Sequence, residues 1–389
     1  MIGRALRPSL NGLPTHSLAD ILPSVAGTYS IPGYHNTLGL PAGKDTVLLL
    51  VDGLGATLIR EHADTAPTLS ELVRSTLRAG FPASTASSIT SLSVGAQCGI
   101  HGIIGYQFRP QPQAATVNAL RWTLHNATGP TAVDVYPPER MQPMTGILSA
   151  LDTAGIGIIH VTPAEHYRSG LTRAAFRKPS THLPASTAQQ VRDTILKALT
   201  RPSPGPRFVY AYYGRLDTVG HFHGPESSEW LDTLRVVDTL VADLAAGLPT
   251  DSTLLVTGDH GMIRAGNHMD IDTDPDLLDG VCAVAGETRV RHLYTRPGAS
   301  KSVQHTWSDW LGPHAYVATR DEAIDHCWFG PFTLGTVEPR IGDLIAVALD
   351  DTVLTRSCEE PTETLLIGHH GAFTPAEQLV PVLIRAPGP

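Results

Sequence analysis

Asp217-Thr-Val-Gly-His221 sets a carboxylate and an imidazole four residues apart. On a helical turn that spacing brings both side chains to one face, where they can share a divalent cation. A helix-capping Asp217 with a surface His221 would satisfy the same spacing, so the pair alone decides little. Asp259-His260-Gly261 is sharper, because two ligand-type residues adjoin a glycine that lets the backbone turn closely. His369-His370-Gly371 repeats the imidazole-glycine arrangement near the C-terminus, and Asp52-Gly53, by itself a common turn, adds a carboxylate. Three Asp and three or four His exceed the needs of one ion, and two ions would divide them. Oxygen and nitrogen ligands without thiolate suit Zn²⁺ or Mn²⁺, whereas Mg²⁺ fits so many His less well.

The second chemical feature is the hydroxyl-rich stretch from Phe81 to Gly95, with Ser84, Thr85, Ser87 and Ser88 at its start. A hydroxyl at a helix N-terminus beside a bound cation is a candidate nucleophile toward phosphorus, since the terminal amides favour a phosphate and the cation lowers the hydroxyl pKa. An ordinary N-cap ahead of a Ser/Thr-lined helix is the plainer account, and position alone leaves the four hydroxyls equal.

Something must bring these groups together. Continuous apolar runs at Thr46–Val51, Gly157–Val161, Phe208–Tyr213, Thr253–Thr257 and Val380–Ile384 read as strands covered on both faces. Helical patterns lie between them at Thr68–Arg78, Thr187–Thr200 and Ser228–Leu248. Alternation of this kind predicts an α/β sheet with helices on both sides, with ligands at the carboxyl ends of its strands. Asp52, Asp217 and Asp259 all follow such strands within a few residues. The turn- and His-rich stretches from about Tyr106 to Met144 and Asn267 to Gly335 are expected to cap those ends.

The composition narrows the partners. With 389 residues, 42% hydrophobic and 17% charged, the chain can bury a large core, and no apolar run approaches a membrane span. The formal charge of −9 argues against a broad basic face for long nucleic acid. No secretory apolar segment follows the N-terminus, and the four scattered Cys read as reduced thiols, so a cytoplasmic location is expected. His101, His223 and His268 read first as structural or solvated, with ligand or substrate contact as the lesser option.

Taken in order, Asp52, Thr85 followed sixteen residues later by His101-Gly-Ile, Asp217-x-x-x-His221, Asp259-His260-Gly261 and His370-Gly371 resemble the type I phosphodiesterase/nucleotide pyrophosphatase branch of the alkaline phosphatase superfamily. The resemblance covers about Asp45 to the C-terminus. It implies an alkaline-phosphatase-like α/β/α sandwich with a mostly parallel central sheet and inserted cap segments. The implied division is an N-terminal extension at 1–44, a catalytic core at 45–266 and 336–389, and an inserted cap at 267–335.

The same resemblance implies that Thr85 is the nucleophile and a ligand of one ion together with Asp52, Asp259 and His260, while Asp217, His221 and His370 hold the other. His370 is preferred to His369 because it directly precedes Gly371. Ser88 stands where the resemblance expects an Asn on a phosphoryl oxygen, which leaves a shorter donor for substrate binding. The implied activity is two-metal hydrolysis of a small phosphorylated substrate, a nucleotide phosphodiester such as the cyclic dinucleotide c-di-AMP. Phosphomonoesterase or phosphonate hydrolase activity is the alternative on the same metals. A metal-stabilised protein that binds a nucleotide without cleaving it is the alternative outside enzymes.

Overall fold

The computed structural model describes residues 7–110, 115–124, 132–177 and 180–388. Parts of the expected N-terminal extension and of the first cap stretch therefore lie outside the described residues. A seven-stranded sheet organises the rest: β1 (Thr46–Val51), β2 (Val73–Arg78), β3 (Gly157–Thr162), β4 (Thr181–Pro184), β5 (Arg207–Tyr213), β6 (Thr253–Thr257) and β7 (Leu379–Arg385), in the spatial order β2-β7-β6-β1-β5-β3-β4. β6, β1, β5, β3 and β4 run parallel, and β7 is antiparallel to both its neighbours.

The expected continuous apolarity has a direct cause. Every residue of β1 is buried, because alternate side chains enter two different cores. Val47, Leu49 and Val51 pack with Val209, Ala211 and Val256 beneath helices α3 (Ala188–Thr200) and α5 (Ser228–Gly247). Leu48 and Leu50 face the opposite side, with Tyr210 and Leu255, under α1 (Ile21–Thr28) and α2 (Thr85–Val94). Residues of the expected N-terminal extension thus form part of the main core.

The expected helix at Thr68–Arg78 is a correction. The chain forms one short helix at Pro67–Leu72 and then strand β2, paired antiparallel with β7 from Leu379↔Arg78 onward. An exposed six-residue segment containing Val73 and Thr76 gains more from a sheet edge and from burying Leu77 than from continuing a helix.

A second, antiparallel sheet lies beside this frame, in the order Val281–Glu287, Val290–Thr295, Leu344–Ala348, Ala315–Thr319. It has its own core around Leu293, Trp307, Leu344 and Ala346. Because Leu344–Ala348 pairs with two of its strands, this sheet extends beyond residue 335.

Leu49 is fully buried at the centre of β1. Leu49→Ala is expected to cost about 2–5 kcal/mol, read as a lower midpoint in urea unfolding.

Candidate metal centre and active site

The parallel strands all deliver their carboxyl ends to one edge. Asp52 directly follows β1, and Gly53 then turns at φ 74, where its backbone comes so close to Asp217 that a Cβ would sit 3.0 Å from the Asp217 Cα. Asp259 follows β6 after Gly258, and its Oδ1 accepts from the Gly53 backbone N–H at 3.1 Å. β5 leads through Gly214 into α4 (Arg215–His223), which carries Asp217 in its first turn and His221 in its last. His370 follows the short strand Gly368–His369, whose pairing with Ile263–Arg264 ties the C-terminal loop to the loop after β6. Thr85 is the first residue of α2, behind an extended Ser84.

The three imidazoles share one arrangement. Nδ1 of His221 donates to the Gly368 carbonyl at 2.7 Å, Nδ1 of His260 to the Gly261 carbonyl at 3.0 Å, and Nδ1 of His370 to the Ala83 carbonyl at 2.8 Å. A carbonyl only accepts, so Nδ1 carries a proton, and in the neutral ring Nε2 is the nitrogen left with a lone pair. Those lone pairs face carboxylates. His260 Nε2 is 3.4 Å from Asp52 Oδ1 and 3.6 Å from Asp259 Oδ2. Asp217 Oδ1 lies 3.4 Å from His221 Nε2 and 3.8 Å from His370 Nε2. The Thr85 hydroxyl is 3.1 Å from His260 Nε2.

Lone pairs aimed at lone pairs need something positive between them. Asp52 Oδ1, Asp217 Oδ1 and Asp259 Oδ2 are all buried without a hydrogen-bond donor. Burial, then Asp259 and Asp217, pushes the Asp52 carboxyl well above its usual range, and Asp259 is also raised, chiefly by burial. Burial and then the neighbouring imidazoles push His370 well below the usual imidazole value. Two ligand groups meet within 4.8 Å: Asp52, Asp259 and His260 form one, and Asp217, His260 and His370 the other. Hard oxygen and imidazole donors, orphaned and desolvated, fit divalent cations.

Sequence reasoning did not identify Tyr212. It points from β5 to the same side as Tyr210, and its hydroxyl donates to Asp52 Oδ2 at 2.5 Å, fixing that carboxylate. Its signal was only a Tyr at alternate positions of a strand ending at the site. Ser88 is buried on α2 and its hydroxyl has no partner, but the cavity wall runs through Ser84, Thr85, Ala86 and Ile89. Ser87 is tied to the carbonyls of Pro82 and Ser84. His369 has both ring nitrogens engaged, with Thr288 and the Leu366 carbonyl, so His370 is the one with a free lone pair. His101 is likewise held by Ser91 and the Ile103 backbone, with burial lowering its pKa to about 3. His223 sits near Glu229 at 3.8 Å, and His268 is exposed on a short strand.

A mostly parallel α/β sheet thus brings a carboxylate and imidazole cluster together at its strand ends. The chain belongs to the type I phosphodiesterase / nucleotide pyrophosphatase family, whose sequence model matches residues 46–373. In overall structure it is similar to murine ectonucleotide pyrophosphatase / phosphodiesterase 5, solved in an inactive form with AMP, at a TM-score of 0.69 and 16% identity over 88% of each chain. Phosphonoacetate hydrolase from Sinorhizobium meliloti 1021, in complex with phosphonoformate, aligns at 0.65 and 17% identity over 88% of this chain and 90% of that one.

Among sequence relatives, ectonucleotide pyrophosphatase/phosphodiesterase family member 7 of Rattus norvegicus is 39% identical over 75 residues, 18% of this chain and 17% of that protein. The catalytic subunit of human GPI ethanolamine phosphate transferase 3 is 38% identical over 60 residues, 15% of this chain and 6% of that protein. No described helix is long and apolar enough to cross a membrane.

The raised Asp52 carboxyl sets a sign. The metal-free fold holds the Asp52 proton more tightly than the unfolded chain, so this carboxyl's stabilising contribution is complete in acid and lost as pH rises through the elevated value. Asp52→Asn removes that loss while keeping an acceptor for Tyr212. At pH 8 in chelator the variant is expected to melt at or above the wild-type temperature and, after metal loading, to retain about one ion instead of two. A lower melting temperature in chelator together with unchanged metal content would contradict the assignment.

Proposed function

We propose that the protein is a two-metal phosphodiesterase that cleaves nucleotide phosphodiester bonds through Thr85, with c-di-AMP as a candidate substrate. The observation that carries this reading is the set of three Nε2 lone pairs and three orphaned carboxylate oxygens gathered around one helix-terminal hydroxyl. Asp52, Thr85, Asp259 and His260 would hold one Zn²⁺ or Mn²⁺ ion, and Asp217, His221 and His370 the other. Bound there, the cations would supply a lowered hydroxyl pKa and neutralisation of charge on the entering and leaving oxygens.

The chain's own groups do the positioning. The carbonyls of Gly368, Gly261 and Ala83 aim the imidazoles, and the Tyr212 hydroxyl aims Asp52. The N-terminus of α2 presents Thr85 where backbone amides favour a phosphate. Thr85 Oγ1, having lost its proton, attacks phosphorus in line. The bond from phosphorus to the departing oxygen breaks, and that oxygen takes up a proton as the alcohol leaves. Water then hydrolyses the phospho-threonine, restoring the hydroxyl and releasing the monoester. In this reading the segment at 267–335 serves as a cap and the protein works in the cytoplasm, while Ser88, buried behind the cavity wall, would reach a phosphoryl oxygen only if its side chain turned toward the cavity.

Thr85→Ala is expected to lower kcat on bis-nitrophenyl phosphate at least roughly 10³-fold with metal content unchanged. Mass spectrometry of the quenched wild-type enzyme should find phosphate on Thr85. Full activity in Thr85→Ala would end the covalent mechanism, and a clear preference for nitrophenyl monoester or phosphonoacetate would replace the diesterase reading. With c-di-AMP, product formation seen by chromatography supports the cyclic dinucleotide, and its survival while other diesters are cut removes it.

A further inference from the structure

The cavity over Thr85 has a volume of about 480 Å³, in the range of small-molecule sites. Asp52, Thr85, Asp217, His221 and His370 form one part of its wall, and a turn at Leu120 and Arg121 forms another. Among the described residues that wall it, Arg121 is the sole arginine or lysine. Its side chain is exposed, and among the described residues no carboxylate is in ion-pair contact with it.

The glutamates of the wall have neighbours of their own. Glu360 is paired with Arg291 at 2.8 Å, and Glu363 accepts from the Tyr106 hydroxyl at 3.3 Å. Glu287 is buried against Ser84. Tyr106, which lines the same cavity, is raised mainly by burial, with the Arg121 charge acting in the opposite direction. Leu120, 38% exposed and next to Arg121 in the chain, and Phe222, 59% exposed and next to His221, add apolar surface to the wall.

A phosphodiester carries one negative charge, and the cluster around Thr85 serves that charge. A permanently charged guanidinium on the same cavity, with no ion-pair partner among the described residues, is left over for a second anionic group of the substrate. Its planar fork matches phosphate bidentately, and apolar side chains beside it suit a nucleobase. Building on the phosphodiesterase reading, we propose that Arg121 is a specificity-determining residue that binds a second phosphate of the substrate, other than the one under attack. The substrate class is then a dinucleotide with a terminal or cyclising phosphate, and simple diesters are poor members of it.

The test compares two linear dinucleotides on the metal-loaded enzyme, adenylyl-adenosine with and without a 5′-phosphate. Wild type is expected to favour the phosphorylated form in kcat/KM. Arg121→Ala should lose about tenfold or more on that form, mostly in KM, with little change on the unphosphorylated form or on bis-nitrophenyl phosphate. Arg121→Lys should fall between. Equal losses on both dinucleotides, or no loss on either, would overturn the role of Arg121 and leave the phosphodiesterase reading standing. Failure of wild type to cut any of the three diesters would overturn that reading and this inference with it.

Discussion

The structure depends on an electrostatic mismatch that the protein does not resolve by itself. Three carboxylates, Asp52, Asp217 and Asp259, are drawn together with three imidazoles whose protons are held on the far nitrogen by main-chain carbonyls. Each facing atom carries a lone pair, and three carboxylate oxygens are buried with no donor. In a medium of low dielectric such an arrangement opposes folding unless cations occupy it. The carbonyl contacts are what make the mismatch specific. They come from Ala83, Gly261 and Gly368, in three separate segments of the chain, and turn each Nε2 toward the acids.

The sheet exists, from the standpoint of the site, to hold those loops within contact distance. Parallel strands β1, β5 and β6 lie side by side with their ends level, since Leu50 pairs with both Tyr212 and Thr257. Buried on both faces, these strands leave Asp52 and Asp259 little freedom to separate, and the two-residue ladder between Ile263–Arg264 and Gly368–His369 fixes the last histidine. Glycines allow the close approaches: a Cβ on Gly261 would fall 1.9 Å from the Ala376 carbonyl oxygen. The second sheet adds a wall in place of a ligand, through Glu287 at the end of Val281–Glu287.

Much of this was legible in the residues. β1 and β6 begin and end where their apolar runs do, because burial on both faces leaves no polar residue inside a strand. The Asp and His motifs that the sequence singles out come together because each lies at a strand end or on the segment beside one, Asp217 and His221 on the helix that follows β5. What escaped depends on register and on packing between distant segments. Val73–Arg78 has an ambiguous pattern that the free edge of β7 decides. Tyr212 becomes visible as an Asp52 partner only when β1 and β5 are placed side by side, and Arg121 as a cavity residue only when its turn, α4 and the short helix of Glu363 come to line one cavity. Leu344–Ala348 joins the second sheet through pairing with segments many residues upstream, which local pattern cannot reveal.

The central claim is that two cations sit between these particular atoms. Anomalous diffraction from crystals grown with Zn²⁺ or Mn²⁺ measures it directly. The account predicts two peaks, one among Asp52, Thr85, Asp259 and His260 and the other among Asp217, His221 and His370, each in contact with imidazole Nε2. A single peak, or peaks bound by other residues while these oxygens and nitrogens stay unliganded, would contradict it.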